Sequence, residues 1–411
     1  MNAHFRRCCL SRNQTPINRP RQSTHAPLEA CTSHDPSREA PRPINIFTVT
    51  PITGALASAL VQHCADFSRR SDKMMQNGHD QVTRVLFCGF EFSASQIYTQ
   101  QYLETYPFIK VDVVACDDVP NVIDKYHVCV AKLCQLNSKV IARAVRMKLI
   151  IQFGVGLEGV NIPAATAHNI KVARIPGQSC GNSSSCAEMA IYLMLGLLRK
   201  KKEMEASVKQ KRLGEPVGDA LMGKTVFIMG FGAIGKDLAK RLHAFGVKII
   251  ATKRSWPAGL LQQHGSKDDD ISGLVDKKGT LEDNYEFAAE ADIVLPCLTL
   301  NSETDGIINE QFLSSMKKGS LLVNIARGRL LHYDSVYQSL KSGHLGGLAI
   351  DVAWQEPFNP EDPILQFPNI IITPHVAGIT ECSYRTMAKI VGDCLIDFHN
   401  GQPLTGIEFV N

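Results

Sequence analysis

Three polar side chains in the second half of the chain have the types needed for anion binding and proton transfer. Arg327 lies in the segment Asn-Ile-Ala-Arg-Gly, Glu356 precedes a proline, and His375 follows one. A guanidinium grips planar oxygens through its forked N–H groups. An imidazole titrates near neutral pH and can give or take a proton. A carboxylate bonded to the far ring nitrogen would fix the tautomer and favour the imidazolium. The trio suits a carbonyl whose oxygen gains a proton beside a bound carboxylate.

Each of these residues comes at or shortly after the end of an apolar run of strand length. The runs span residues 321–325, 348–352 and 370–373. Ligands of open α/β sheets gather beyond the carboxyl ends of the strands, so we expect the three side chains to converge. With the runs 226–229, 247–251 and 291–295, the pattern predicts about six parallel strands, the size of a complete dinucleotide-binding fold.

Residues 225–254 read as strand, glycine turn, helix and second strand, with Gly-Phe-Gly-Ala-Ile-Gly at the turn. Each glycine of GxGxxG has its own task. Gly230 makes the tight turn, Gly232 lets a pyrophosphate approach the backbone, and Gly235 allows close packing of helix on strand. The helix N-terminus directs unpaired N–H groups at the pyrophosphate. The motif alone is weak, but in this setting it indicates a bound dinucleotide.

The first half of the chain shows the same alternation of strand and helix patterns. Apolar runs at 85–88, 111–115, 128–132, 149–153 and 172–175 predict a small parallel sheet. The sequence Gly154-Val155-Gly156 follows the fourth run, and its spacing alone favours a simple turn over an anion-binding loop. Residues 187–210 read as one long helix and residues 380–399 as another.

Two further motifs carry little weight. Residues 218–225 match the P-loop pattern GxxxxGK[ST], but a strand follows where a P-loop needs a helix, so this interpretation is rejected. Residues 255–279 read as a polar loop. Its run Asp268-Asp269-Asp270 could bind a metal, but a solvated surface is the favoured interpretation.

Composition sets broader limits. With 411 residues, the chain is expected to form two domains and an extension. The net charge of +4 is small for this length and predicts no nucleic-acid partner. Thirteen scattered cysteines, without a CxxC pair, predict a reduced, intracellular, metal-free protein. The apolar run 189–198 is too short to cross a membrane and predicts a buried helix ending in a basic turn.

Residues 1–84 are set apart as an N-terminal extension. The first 27 residues carry arginines and no acidic residue. This composition fits an organellar transit peptide, and a disordered tail is the equal alternative. The expected location is therefore the cytoplasm, or an organelle matrix such as that of a chloroplast or mitochondrion.

The motifs GFGAIG, NIARG, DVAWQEP and TPHVAG together resemble the D-isomer-specific 2-hydroxyacid dehydrogenase family, with matching stretches from Val85 to Asn411. The resemblance implies an α/β fold in which a Rossmann dinucleotide-binding domain, 187–376, is inserted into a smaller flavodoxin-like substrate domain, 85–186 and 377–411. It also implies a homodimer.

The same resemblance assigns roles to residues. It implies that Arg327 anchors the substrate, that Glu356 orients the imidazole and that His375 is the acid/base. It also makes the backbone N–H groups of Val155 and Gly156 substrate contacts, reversing the preference for a simple turn. The segment 182–188 resembles the family's N-T-x-S-V-A-E pattern in altered form. The predicted cofactor-binding residues are Gly230, Gly232, Ala233, Ile234, Gly235, Lys253, Arg254, Cys297, Thr304, Ile325, Ala326, Asp351 and Ala377.

Several positions depart from the family pattern. Lys253 and Arg254 stand where many members carry an Asp that accepts the ribose hydroxyls. Cations suit a 2′-phosphate, so the sequence predicts NADP(H) in preference to NAD(H). Cys297 replaces a common His and is expected to touch the cofactor. Arg329 and His332 replace a common Gly and Asp after the arginine motif.

The predicted function is an NAD(P)-dependent oxidoreductase that transfers a hydride between the nicotinamide and a small D-2-hydroxy acid or 2-oxo acid. Hydroxypyruvate or glyoxylate is the favoured substrate, and 3-phosphoglycerate is the near alternative. Formate dehydrogenase is disfavoured, because members of that branch replace the glutamate at position 356. A second class remains open, a dinucleotide-sensing corepressor or scaffold protein of the same fold.

Overall fold

The computed structural model describes residues 82–256 and 273–411, which hold two parallel sheets flanked by helices. The first sheet has the order β2-β1-β3-β4-β5, with β13 added antiparallel to β5. This is the flavodoxin-like order. Its strands are β1 Thr83–Cys88, β2 Ile109–Val114, β3 Val128–Ala131, β4 Leu149–Gln152, β5 Lys171–Arg174 and β13 Glu408–Phe409. β1 therefore begins inside the predicted extension, whose residues 1–81 lie outside the described part of the chain.

The second sheet has the order β12-β11-β10-β9-β6-β7-β8, which is a Rossmann order extended by one strand. Its strands are β6 Thr225–Met229, β7 Lys248–Thr252, β8 Lys277–Gly279, β9 Ile293–Pro296, β10 Leu321–Asn324, β11 Gly347–Ile350 and β12 Ile370–Ile372. The predicted α/β class is confirmed. The six predicted strands are present, but β8 lies where a loop was predicted. Residues 257–272, including the run Asp268-Asp269-Asp270, are outside the described residues.

The helices cover both sheets. They are α1 Ala94–Tyr102, α2 Val119–Val122, α3 Ser138–Ile141, α4 Ile162–Ala167, α5 Asn182–Leu198, α6 Lys201–Lys209, α7 Ala233–His243, α8 Asn284–Glu290, α9 Glu310–Ser315, α10 Tyr333–Lys341 and α11 Glu381–His399. The prediction of one helix over 187–210 is wrong, since Lys200 adopts a left-handed conformation with φ of 54° and separates α5 from α6. The apolar run 189–198 does form a largely buried helix, as predicted.

The C-terminal segment joins the first sheet. Tyr98 on α1 donates a hydrogen bond to Glu381 on α11, and Tyr102 donates one to Asp393 at 2.5 Å. β13 then pairs with β5 at the sheet edge. These contacts place residues 381–411 beside the first sheet. Helix α5 runs across the proposed boundary at residue 186, and the domain limits themselves stay a prediction.

Burial follows the sheet geometry. All four residues of β3, β4, β9 and β11 are buried, as expected for parallel strands covered by helices on both faces. The apolar face of α5 packs with α7 and the second sheet in one core cluster. The opposite face of that sheet is filled by Phe227, Phe287 and Phe312, each at most 1% exposed. The strand ends are thereby held on a rigid frame.

The cysteines correct one expectation. Cys116 and Cys134 form a disulfide, so the prediction that all thiols are reduced is wrong. The Sγ atoms of Cys88 and Cys129 lie 3.1 Å apart without a bond. Within residues 82–256 and 273–411, no group of His, Cys, Asp and Glu side chains is placed to hold a metal. Over the same residues, no helix has the length and apolar character needed to cross a membrane.

The three glycines of the turn differ in what surrounds them. Gly230 has φ of 103°, and a Cβ there would lie 2.7 Å from the carbonyl oxygen of Cys297. A Cβ at Gly235 would lie 2.9 Å from the Gly230 carbonyl oxygen and 3.1 Å from Ile228. At Gly232 a Cβ would meet no atom within 4 Å. The tight turn and the close helix–strand packing are confirmed, and Gly232 faces open space.

Two matched substitutions should separate these roles. Gly235→Ala is expected to lower the free energy of unfolding by about 1–3 kcal/mol, because the added methyl group overpacks backbone and strand. Gly232→Ala should change it by less than about 0.5 kcal/mol, since the space is open. Denaturant titration of the two variants measures both values. Equal losses for the two would contradict the assigned packing.

Candidate active site

A cleft of about 620 Å³ lies at the carboxyl ends of strands from both sheets. Its walls combine the loop after β4, the glycine turn after β6 and the segments that follow β10 and β12. The predicted site residues that line it are Val155, Gly156, Gly232, Ala233, Ile234, Cys297, Ile325, Ala326, Arg327, Asp351, His375 and Ala377. The expected convergence of the strand ends is therefore observed.

The turn after β10 fixes the backbone of Arg327. The buried Asn324 amide donates to the Arg327 carbonyl at 2.8 Å, and its oxygen accepts the Ala326 N–H at 3.0 Å. The next residue must be glycine, because a Cβ at Gly328 would lie 1.9 Å from the carbonyl oxygen of Ala353. The arginine is thus presented by a turn that is locked on both sides.

The guanidinium of Arg327 meets the loop after β4. Its Nε donates to Glu158 at 3.0 Å, and Nη1 donates to the Ala326 carbonyl at 2.6 Å. A Cβ at Gly156 would lie only 2.1 Å from Nη2, so that nitrogen packs against the glycine backbone. The two predicted substrate-binding elements, the arginine and the glycine loop, therefore touch. Their N–H groups provide a place for a carboxylate.

His375 and Glu356 form the expected pair. The His375 Nδ1 and a Glu356 carboxylate oxygen are 2.7 Å apart, and the second oxygen accepts the Ala353 N–H at 3.0 Å. His375 has φ of 58°, a left-handed conformation that is uncommon outside glycine and that clusters at functional sites. The edge of its ring packs against Phe92, with centroids 5.7 Å apart. The pair leaves Nε2 as the nitrogen available for proton exchange in the cleft.

Asp351 holds the histidine loop. Its Oδ1 accepts the Val376 N–H at 2.9 Å and the Thr373 hydroxyl at 2.5 Å, and its Oδ2 accepts the Ala377 N–H at 2.7 Å. Its own carbonyl accepts the His375 N–H at 2.8 Å. The carboxylate was predicted to bind cofactor. In the structure both of its oxygens are used to shape the loop that carries His375.

The surroundings of Glu356 favour its negatively charged form. Burial raises the pKa of Glu356, but the hydrogen bond and charge of His375, the Ala353 N–H and Arg327 outweigh it and hold the pKa below its usual value. Glu356 is therefore ionised at neutral pH, and its carboxylate can accept a hydrogen bond from the His375 Nδ1. The side chains of His375 and Glu356 are 30% and 24% exposed, so their charges are only partly screened by solvent.

The opposite side of the cleft fits a dinucleotide. Helix α7 begins after Gly232, and no side chain caps its first N–H groups. Gly232 is exposed and Ala233 and Ile234 are half-buried along the cleft wall. Uncapped N–H groups at a helix N-terminus beside open space form an anion site, and here they would hold the pyrophosphate.

The end of β7 carries the predicted cations. Lys253 follows the strand, and its amine lies 5.8 Å from the ring centroid of Trp256. The Trp256 indole donates to the Gly279 carbonyl at 2.8 Å, which ties it to β8. The amine of Lys278, on β8, lies 5.9 Å from the same centroid. With the exposed Arg254, this edge collects three cations, of which sequence reasoning named two.

Some predicted residues lie away from the cleft lining. Thr304 donates to the Thr299 carbonyl at 2.7 Å and stabilises a turn, while Thr299 itself lines the cleft. Glu356 supports His375 from behind. Gly230 and Gly235 shape the turn. Cys297, by contrast, does line the cleft, and burial raises the pKa of its thiol. The roles of these residues toward a cofactor stay predictions.

Three residues of the site were missed from sequence. Glu158 pairs with Arg327, Asn324 fixes its turn, and Lys132 enters the cleft from the end of β3. A polar residue closing a buried strand signals Asn324. Lys132 ends an apolar run in the same way. Glu158 lies two residues beyond the glycine pair and has no comparable signal.

The comparisons with known proteins agree with this architecture. Residues 191–377 match the family model described as D-isomer specific 2-hydroxyacid dehydrogenase, NAD binding domain. A glyoxylate reductase from Thermofilum pendens is 31% identical over 66% of this chain and 79% of its own length. The chain belongs to the D-isomer specific 2-hydroxyacid dehydrogenase family. The recognition and the enzyme class expected from the motifs, an NAD(P)-dependent 2-hydroxyacid dehydrogenase, are confirmed.

Other members of this dehydrogenase family are similar over different lengths. A D-3-phosphoglycerate dehydrogenase from Archaeoglobus fulgidus is 30% identical over 69% of this chain. The chain spans about half of that protein, 51%. The solved structure of an NAD-dependent formate dehydrogenase from Staphylococcus aureus with NAD has a TM-score of 0.66 and 27% identity, covering 80% of this chain and 99% of its own.

The Glu356 pair predicts a pH effect on stability. The folded pKa is lowered, so its stabilising contribution is complete above pH of about 4.5 and is lost as pH falls through the folded value. Glu356→Gln should therefore remove part of the acid dependence, up to about 1 kcal/mol given the partial exposure. Denaturant titrations at pH 7 and pH 3.5 measure it. Glu361→Gln, at an exposed position nearby, is the control and should behave as the wild type.

Proposed function

We propose that this protein reduces a small 2-oxo acid with NADPH, with hydroxypyruvate or glyoxylate as the favoured substrate. The observation that carries the proposal is the meeting of two elements in one cleft. Arg327 lies against the glycine loop at Gly156, and His375 is paired with Glu356. A carboxylate site and a proton donor are then available to the same small molecule.

The substrate carboxylate would bind the N–H groups of Val155 and Gly156 together with Arg327. Nε and Nη1 of the arginine already have protein acceptors, so Nη2 is the nitrogen left for the ligand. Because Glu158 holds the guanidinium at 3.0 Å, the side chain is oriented before the substrate arrives. Such preorganisation lowers the entropic cost of placing the oxo carbon.

His375 would give its proton to the oxygen of the oxo group as negative charge develops there. Glu356 keeps Nδ1 bonded at 2.7 Å, so Nε2 carries the proton that is transferred. When bound, the nicotinamide supplies the hydride to the oxo carbon. In the opposite direction, His375 accepts the hydroxyl proton of the 2-hydroxy acid, and Glu356 stabilises the resulting imidazolium.

The cofactor preference rests on the edge formed by β7 and β8. Lys253, Arg254 and Lys278 provide cations there, and none of them offers an acceptor for ribose hydroxyls. A charge-assisted hydrogen bond is worth about 1.5–3 kcal/mol, so one such bond gives about tenfold or more in favour of NADP(H). Similarity to a D-3-phosphoglycerate dehydrogenase keeps 3-phosphohydroxypyruvate in the substrate panel.

Replacing the proposed proton donor should separate chemistry from binding. His375→Ala is expected to lower kcat by about 10²–10⁴-fold with hydroxypyruvate, because proton transfer is lost. The dissociation constant for NADPH, followed by fluorescence titration, should stay within about twofold. His168→Ala, at the exposed position that directly follows α4, should keep full activity. Turnover retained by His375→Ala would refute the role.

Lys253 and Arg254 are expected to determine the preference for NADPH over NADH. Lys253→Ala combined with Arg254→Ala is expected to lower kcat/KM for NADPH at least tenfold, because charged contacts to the 2′-phosphate are removed. The value for NADH should change less than about threefold. Initial rates with both cofactors give the ratio, and Lys318→Ala, an exposed lysine before β10, is the matched control. An unchanged ratio would remove the basis for an NADP(H) preference.

A further inference from the structure

Lys132 occupies an unusual position in the cleft. It follows β3, and its side chain lines the cleft together with three aromatic residues. Its amine lies 4.0 Å from the ring centroid of Phe92, 4.4 Å from that of Tyr384 and 5.0 Å from that of Phe153. Aromatic faces attract an ammonium at these distances. Three rings thus hold the amine in one place.

A hydroxyl, and not a carboxylate, contacts the Lys132 amine in the described part of the chain. Among the residues that the structure describes, no carboxylate forms an ion pair with Lys132. Its hydrogen bond goes to the Tyr384 hydroxyl. Burial raises the pKa of Tyr384, so this hydroxyl is neutral and cannot balance a positive charge. A cation in a substrate cleft without a counter-ion leaves room for an anionic group from a ligand.

The surroundings of the amine contain few titratable groups. Tyr384 faces it from α11, and the Cys186 thiol, which neighbours Tyr384 and whose pKa is raised by burial to about 12, is also neutral. His375 contacts Phe92, the ring over which the Lys132 amine lies. Burial lowers the pKa of Lys132 itself to about 7. At neutral pH the amine is therefore balanced between its charged and neutral forms.

The residues that line the cleft would also orient a bound substrate. Arg327 and Gly156 lie at the end that would bind the carboxylate of a 2-oxo acid, and His375 lies beside its oxo group. The Phe92 ring contacts both residues: its centroid lies 5.7 Å from that of the His375 ring and 4.0 Å from the Lys132 amine. A substrate held at Arg327 would extend its remaining chain past this ring toward Lys132.

We propose that Lys132 forms a second anion site in the cleft, which binds the carboxylate or phosphate at the far end of a 2-oxo acid. This inference rests on the proposed function, because Arg327 and His375 set where the substrate begins. It makes 2-oxo acids with an anionic tail better substrates than neutral analogues of the same length. A bound anion holds the proton on the amine and raises its pKa, so binding near neutral pH takes up a proton.

The first test compares matched substrates. The pairs are 2-oxoglutarate with 2-oxovalerate, for a carboxylate tail, and 3-phosphohydroxypyruvate with hydroxypyruvate, for a phosphate tail. Lys132→Met keeps the length of the side chain without its charge. It should lower kcat/KM at least tenfold for the anionic member of one pair and less than about threefold for the neutral member. Lys139→Met, an exposed lysine on α3, should alter neither.

The second test does not need turnover. Titration calorimetry of the NADP⁺-loaded protein with 2-oxoglutarate and 3-phosphohydroxypyruvate, in two buffers of different ionisation enthalpy, counts protons taken up. At pH 7 the wild type should take up to about half a proton more with the anionic ligand than with its neutral partner. Lys132→Met should lose this difference.

The melting temperature of Lys132→Met would show that this variant folds. Removing a desolvated amine should raise the melting temperature by about 2–4 °C at pH 6.5. The folded pKa of about 7 lies below the unfolded value, so wild-type stability rises with pH between about 7 and 10.5. The advantage of Lys132→Met should therefore shrink at pH 9.5.

The outcomes separate the two proposals. Lys132-dependent binding and proton uptake without turnover of any of the four acids would refute the reductase assignment and support the anion site. Equal losses of kcat/KM for both members of each pair would overturn the anion site and leave the reductase assignment intact. The absence of Lys132-dependent proton uptake would likewise overturn the anion site and leave the reductase assignment intact.

Discussion

The buried carboxylate of Asp351 is the constraint on which the reactive half of the site depends. It is 1% exposed, and a charge so placed is tolerated only where its oxygens are fully bonded. The loop after β12 satisfies it with two N–H groups and a hydroxyl, and thereby wraps around the end of β11. Within the same loop His375 adopts its left-handed conformation, and its ring is hydrogen-bonded to Glu356. The position of the proton donor is therefore set by backbone hydrogen bonds to one side chain, more than by contacts of the imidazole itself.

The sequence predicted the parts that follow from strand order and glycine geometry. Parallel strands bring their carboxyl ends to one edge, so the sequence alone predicts that Arg327 and His375 converge. The tasks of Gly230 and Gly235 follow from sterics, and the structure reproduces them. The NADP(H) preference, the dimer and the location of the protein are still expectations, because they depend on a ligand, a partner or residues beyond the described part of the chain.

Two features could not be predicted from the sequence, because tertiary contacts there override the local preference of the residues. β8 has the sequence Lys-Lys-Gly, which lacks apolar alternation, and Lys277 on this edge strand is held by Glu286 and Glu290. The break between α5 and α6 falls at Lys200, a residue that normally favours helix. Gly218 packs there, since a Cβ on it would lie 2.9 Å from the Cα of Arg199. Both features are decided by segments distant in sequence, and no periodicity signals them.

Two of the cations that line the cleft, Arg327 and Lys132, differ in residue type for a physical reason. Arg327 is already paired with Glu158, so its task is geometric: it presents Nη2 beside Gly156 in a fixed direction. Lys132 has no such partner within residues 82–256 and 273–411, and an aromatic cage in place of a carboxylate leaves its charge dependent on what enters the cleft. An arginine at position 132 would carry a permanent charge into an apolar cage, whereas a lysine can shed its proton when no anion is bound. The cost of desolvation is then incurred chiefly when a ligand is present to offset it, which couples occupancy of the cleft to the protonation of one side chain.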